Sequence, residues 1–174
     1  MSWGVRCVVL AGAALALAAC GKPAGGGADQ AAAPTEPASA PAPAPPELTA
    51  AQKKTMLAEL PAAYRDADLD NGQAQFAVCR SCHSLDQGGS NMTGPNLYGI
   101  FGRKAGAKTD FIYSDDMKKA GWTWDADHLE KWIQSPRTVL PGTKMTFIGV
   151  PDAKNRADLI AYLKTATSPA PPPA

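Results

Sequence analysis

At 174 residues with 45% apolar side chains, the chain is long enough for one ordinary domain with a core of its own. Seventeen basic and sixteen acidic residues leave a net charge of +1, which argues against a nucleic-acid binder or a protein built for an acidic substrate. The four cysteines are more informative, because two of them, Cys7 and Cys20, lie inside or at the edge of a targeting segment.

The chain begins MSWGVRCVVLAGAALALAACGK: Arg6 in a short polar start, then an apolar run from Val8 to Ala19. Twelve residues are too few to cross a hydrocarbon layer of roughly 30 Å but fit the core of a secretory signal. The run ends in LAAC, the pattern of a bacterial lipobox. The expectation is a lipoprotein-type signal peptide over 1–19, with Cys20 lipidated as the mature N-terminus. An ordinary signal peptide, or an uncleaved anchor beginning near Val5, are the alternatives, and all three export the rest of the chain. After export a structural disulfide could join only Cys79 to Cys82, closing a loop too small to constrain much of the chain.

Residues 20–47 are rich in Gly, Ala and Pro, with PAPAPP at 41–46. They read as a tether, reaching roughly 80 Å if extended and about 30 Å as a coil, enough for an anchored domain to meet more than one partner. A short helical extension is expected over 48–65, capped by Thr49 with Gln52 completing a capping box, and stopped at Pro61. Whether it packs on the main domain or acts as a spacer is open at this level.

The compact domain spans 66–167. DLDNGQAQFAVC predicts a helix capped by Asp68, with Gly72 and Phe76 on one face. NMTGPNLYGIFGRKAGAKTDFIY is rich in glycine, lacks periodicity and reads as loop. Ser114 caps a short helix ending at Gly121, and Asp125 opens another that stops before Pro136. The last runs from Asp152 to Thr167 with Leu159, Ile160, Tyr162 and Leu163 as an apolar stripe. Residues 168–174 read as a disordered Pro/Ala tail. No alternating run is long enough for a sheet, so the fold class is all-α, with three to five helices and long loops. Loops this long in about 100 residues imply that a large apolar group completes the core.

CRSCH, at 79–83, carries the chemistry. A zinc site needs further ligands, but there is no second cysteine pair in the exported chain and His128 is the only other histidine. A thiol–disulfide oxidoreductase would place the pair after a strand, whereas here a helix precedes it. The remaining reading is covalent haem: Cys79 and Cys82 add to its two vinyl groups, and His83 lies beneath the iron. For a sixth ligand the candidates are Met56, Met92, Met117, Met145 and His128. Met145 ends PGTKM, a turn able to aim a side chain inward. A core methionine is the competing reading of the same residue.

From about Asp68 to Thr167, the stretches GQAQFAVCRSCH, TGPNL, GRKAG, FIYSD, WTWD, PGTKM and DLIAYLK, in that order, resemble the class I mono-haem cytochromes c of the mitochondrial or cytochrome c2 type. The resemblance implies a cytochrome c fold around one haem c, with His83 and Met145, 62 positions apart, as axial ligands. It implies that the Pro95 carbonyl accepts from the His83 ring, and that Arg103, Tyr113 and Trp124 hold the haem propionates. Gly72, Phe76 and Tyr162 correspond to the family's packing of first helix on last. Three departures stand out. Trp132 sits where many relatives carry a tyrosine near the ligand methionine, Met117 replaces a polar residue, and Ser90 and Met92 occupy positions that are often basic.

Twelve Lys+Arg and eleven Asp+Glu between Asp68 and Lys164 leave little charge for steering. Lys104, Lys118, Lys119, Arg137 and Lys144 could form a local patch, and a tether would substitute for steering by raising effective concentration. The functional expectation is a monomeric, non-enzymatic one-electron carrier between a quinol–cytochrome c oxidoreductase and a terminal oxidase. It would sit lipid-anchored on the periplasmic side of a bacterial membrane, the inner rather than the outer. A haem peroxidase, or a haem-based redox or gas sensor, with an open sixth position, is the alternative.

Overall fold

A computed structural model describes residues 47–172. The expected signal peptide, Cys20, the expected tether through Pro46 and the last two residues of the expected tail lie outside the described residues. Those described form six α-helices and one 3-10 turn, with no strand among them. The only β-type pairing among them is an isolated antiparallel bridge between Lys104 and Thr123.

Helix α1 (Ala50–Ala58) starts with the capping box: Thr49 Oγ1 accepts from Gln52 N–H, and Gln52 Oε1 accepts from Thr49 N–H at 2.9 Å. A 3-10 turn follows at Ala62–Tyr64. Met56, Leu57, Leu60 and Tyr64 are buried, so the extension packs on the domain rather than acting as a spacer. Its neighbour is the last helix, α6 (Ala153–Thr167). Lys164 Nζ donates to Glu59 Oε2 at 2.6 Å and lies 5.3 Å from the Phe101 ring centre. Residues 168–172, expected to be disordered, are also placed: Gln52 Nε2 donates to the Pro171 carbonyl at 2.8 Å.

Helix α2 (Leu69–Phe76) is capped by Asp68, whose carboxylate accepts from Asp70 and Asn71 N–H. It crosses α6 at Gly72, where an added Cβ would come within 2.7 Å of both the Asp158 carbonyl carbon and Tyr162 Cβ. Phe76 then meets Tyr162, ring centres 5.9 Å apart. Beside this crossing Asp158 is 2% exposed. It accepts from Asp68 N–H (2.9 Å), Asn71 Nδ2 (2.7 Å) and Lys154 Nζ (2.6 Å).

Helices α3 (Asp115–Lys119) and α4 (Ala126–Gln134) begin at Ser114 and Asp125, each accepting from an N–H of the first turn. After α4 the chain makes one more turn, α5 (Pro136–Val139), where only a stop was expected. Proline suits a first helical position because its missing N–H would have had no partner there. Buried Arg156 joins α6 to α4: Nε donates to Glu130 Oε1 (2.7 Å), and Nη1 donates to the carbonyls of Val150 and Pro151. The long segment between α2 and α3 has no helix of its own. It is held by backbone bonds to neighbouring loops, such as Gly102 N–H to Trp124 O and Leu97 N–H to Ser84 O, both 2.9 Å.

Candidate functional site

A cleft of about 360 Å³ opens into the core between the loop after α2 and the segments around α3, α4 and Met145. Cys79, Cys82 and His83 enter from the turn that continues α2, with Cys82 N–H and His83 N–H both bonded to the Cys79 carbonyl at 3.0 Å. Burial, then the neighbouring Cys82, pushes the Cys79 thiol up to about 11. That environment opposes a thiolate but costs a neutral thioether nothing comparable.

His83 is oriented by one bond, its Nδ1 lying 2.7 Å from the Pro95 carbonyl. A carbonyl only accepts, so the proton is on Nδ1 and Nε2 carries the free lone pair. Burial lowers the ring's pKa, against the opposing effect of the Pro95 bond, so the neutral ring is favoured. Gly94 makes room for it. A Cβ there would collide with the imidazole.

Pro95, Arg103, Tyr113, Trp124, Trp132 and Met145 line the same cleft. Arg103 donates from Nη1 to the Tyr98 carbonyl (3.0 Å) and from Nη2 to the Asn96 carbonyl (3.3 Å), and has no carboxylate in ion-pair range among the described residues. Burial pulls its pKa down, opposed by Tyr113 and Asp110. Burial also raises Tyr113, with Arg103 opposing. A half-buried cation facing a largely apolar cleft without a counter-ion suits a group that brings its own negative charge.

The five candidate sixth ligands separate by position. Met56 is buried in α1 and Met92 is 49% exposed, and neither lines the cleft. His128 lies outside the lining, with Nδ1 2.8 Å from Asp125 Oδ1. Met117 and Met145 both line it, Met117 from within α3 and Met145 from a turn in which its N–H bonds Thr143 Oγ1 at 3.1 Å.

Other features escaped sequence reasoning. Asn96 is 4% exposed; its Nδ2 bonds Ser84 Oγ and the Asp86 carbonyl, and its N–H bonds Asn91 Oδ1. It thereby fixes the two consecutive carbonyls that hold His83 and Arg103. Val78 and Ile112, 60% and 78% exposed, form the cleft's apolar mouth. The sequence offered only their apolar character, Val78 directly before Cys79 and Ile112 within FIYSD, and nothing in it tells an exposed apolar residue from a buried one.

Thus two thiols and an imidazole converge on an apolar cleft with a cation and no counter-ion. The cytochrome c family model matches residues 69–167, more than half the chain. The chain belongs to the cytochrome c family. It is 46% identical over 104 residues to cytochrome c of Theileria parva, covering 59% of this chain and 90% of that one. It is 44% identical over 104 residues to cytochrome c2 of Blastochloris viridis, covering 60% and 80%. Among solved structures, cytochrome cH from Methylobacterium extorquens superimposes with a TM-score of 0.53 at 43% identity, covering 57% of this chain and 99% of that one. As in the family, this cytochrome c binds haem c covalently through Cys79 and Cys82. The cleft's dimensions, apolar lining and uncompensated Arg103 fit that group.

Proposed function

We propose that this cytochrome c is a membrane-tethered one-electron carrier, with His83 and Met145 as axial ligands. The observation that carries the reading is the joint presence in one cleft of His83, held in its neutral tautomer by Pro95, and Met145, presented by a turn. When bound, the haem supplies an Fe(III)/Fe(II) couple. The chain's own residues supply the rest: an imidazole of fixed orientation, a soft thioether that favours the reduced state, a largely apolar wall that would exclude water, and an open mouth at Val78 and Ile112. Arg103, Tyr113 and Trp124 are the donors suited to the propionates. Trp132 replaces the usual hydroxyl beside the methionine with an indole.

The partners in this reading are a quinol–cytochrome c oxidoreductase as donor and a terminal oxidase as acceptor, on the periplasmic side of a bacterial inner membrane. LAAC at 17–20 and the apolar run before it support lipidation of Cys20. Lys104, Lys119, Arg137 and Lys144 are exposed, but Lys118 lies 3.4 Å from Asp115, so the positive patch is thin and the tether supplies proximity instead.

A visible spectrum with a redox titration tests the reading. The expected result is a reversible one-electron wave and the weak absorption band of sulfur–Fe(III) ligation. The band should vanish in Met145→Ala and persist in Met117→Leu. A protein lacking the band, with an open sixth position and rapid peroxide turnover, would be a haem peroxidase instead.

A further inference from the structure

Three indoles and an imidazole form a continuous line of rings from the cleft to the surface. Trp132 and Trp124 line the cleft and meet edge to face, centres 5.4 Å apart at 69°. Trp124 meets Trp122 at 5.7 Å and 83°. Trp122, which does not line the cleft, stacks on His128 at 5.9 Å with planes only 13° apart. All three separations are those of rings in contact. The outer end is held from the helix side: Asp125, the cap of α4, accepts from His128 N–H and lies 2.8 Å from its Nδ1, fixing the imidazole over Trp122. The His128 side chain is 39% exposed.

Trp122 makes the line unusual. Its Nε1 is buried with no hydrogen-bond partner among the described residues, a placement that costs stability. The ring meets Trp124 edge to face and stacks on His128, with no polar contact to its indole N–H among the described residues. We propose that Trp132, Trp124 and Trp122 form a second electron-exchange route, connecting the haem cleft to a surface port at His128 on the first turn of α4, separate from the cleft mouth at Val78 and Ile112. The partner at this port is a one-electron redox protein approaching over His128. One electron passes from the partner's reduced centre, which is oxidised by one unit, to iron, Fe(III) to Fe(II). No bond forms or breaks and no proton moves. The indoles provide electronic coupling through touching π-systems without changing oxidation state. The proposal rests on the carrier reading above.

His128 is also the handle for the test, because it is the only imidazole besides His83 and its Nε2 is left free by the Asp125 contact. A ruthenium bis(bipyridine) imidazole complex attached there to the intact holoprotein donates one electron to Fe(III) on a flash, becoming Ru(III). The transfer rate is read in the wild type and in Trp122→Phe, Trp122→Leu and Trp122→Met. Near-UV circular dichroism reports whether the remaining indoles stay coupled. The expected result is a rate close to wild type with Phe and severalfold slower with Leu, with Trp124 and Trp132 signals retained. Met, flexible and close in volume, replaces Leu if the latter does not fold. Equal rates in the wild type and all folded variants would overturn the route. Reversible reduction of the unlabelled protein by ascorbate separates the two readings: if that fails, the carrier assignment fails, whereas its success with indole-independent flash rates removes only the port.

Discussion

A Cβ on Gly94 would lie 2.7 Å from Nδ1 of His83, the atom that donates to the Pro95 carbonyl. The missing methyl group therefore sets both where the imidazole sits and how much electron density it offers. With the ring displaced and that bond lost, the imidazole becomes a poorer donor and stabilises Fe(III) less. On the proposed ligation, Gly94→Ala should raise the reduction potential. A redox titration beside the wild type checks the sign; an unchanged or lower potential would mean that the ring relaxes without losing its partner. Asn96 acts on the same atoms from behind, since its side chain anchors the stretch whose carbonyls bind His83 and Arg103.

At the level of elements, the α2–α6 crossing carries a polar latch as well as its glycine. Burial would raise the Asp158 carboxyl, but hydrogen bonds from Lys154, Asn71 and Asp68 more than offset this and hold it below the ordinary carboxylate range. The stabilisation is fully present above the unfolded-state value of about 3.9 and disappears as pH falls through the lower folded-state value. Asp158→Asn should thus cost about 1.5–3 kcal/mol near neutrality, most of it from the buried donors, since Lys154 is 70% exposed and screened. The gap between thermal melts of the two proteins should stay constant down to about pH 4 and close only as pH falls further, through the folded-state value; a gap that never closes would show that packing, not charge, is what the substitution removes. Five of the six helices were legible in the sequence because each begins with a side chain that caps it: Thr49, Asp68, Ser114, Asp125 and Asp152. The CRSCH motif marks its own chemistry in the same local way. What escaped was non-local. No periodicity in the sequence indicates that α1 lies on α6, that Asn96 braces two carbonyls, or that Trp122 bridges His128 and Trp124, since these contacts join residues from separate loops. The α5 turn was missed for a different reason, because proline was read only as a helix stop.

For the whole molecule, the proposed anchor has its own test. Cys20→Ser, exported and matured by another route, should keep the wild-type spectrum, leave the membrane fraction, and slow electron transfer at fixed total protein, because a domain of low charge loses proximity without gaining steering. Equal respiration rates at low expression would show that the tether does not set the encounter rate. A mass of the mature N-terminus reads the acylation directly. The Asp68 N–H donates to the Asp158 carboxylate across 90 positions, and α2 packs chiefly on α6, the last helix among the described residues. A chain synthesised from its N-terminus therefore exposes CRSCH well before the element that closes the core against it exists. Long-range contacts of this kind form late and slowly. Cys79 and Cys82 are thus in place before the helix that packs behind them, an order of synthesis that would leave them open to haem addition until α6 follows. Moving that helix earlier in the chain, by circular permutation, would shorten the interval without altering a single residue of the cleft.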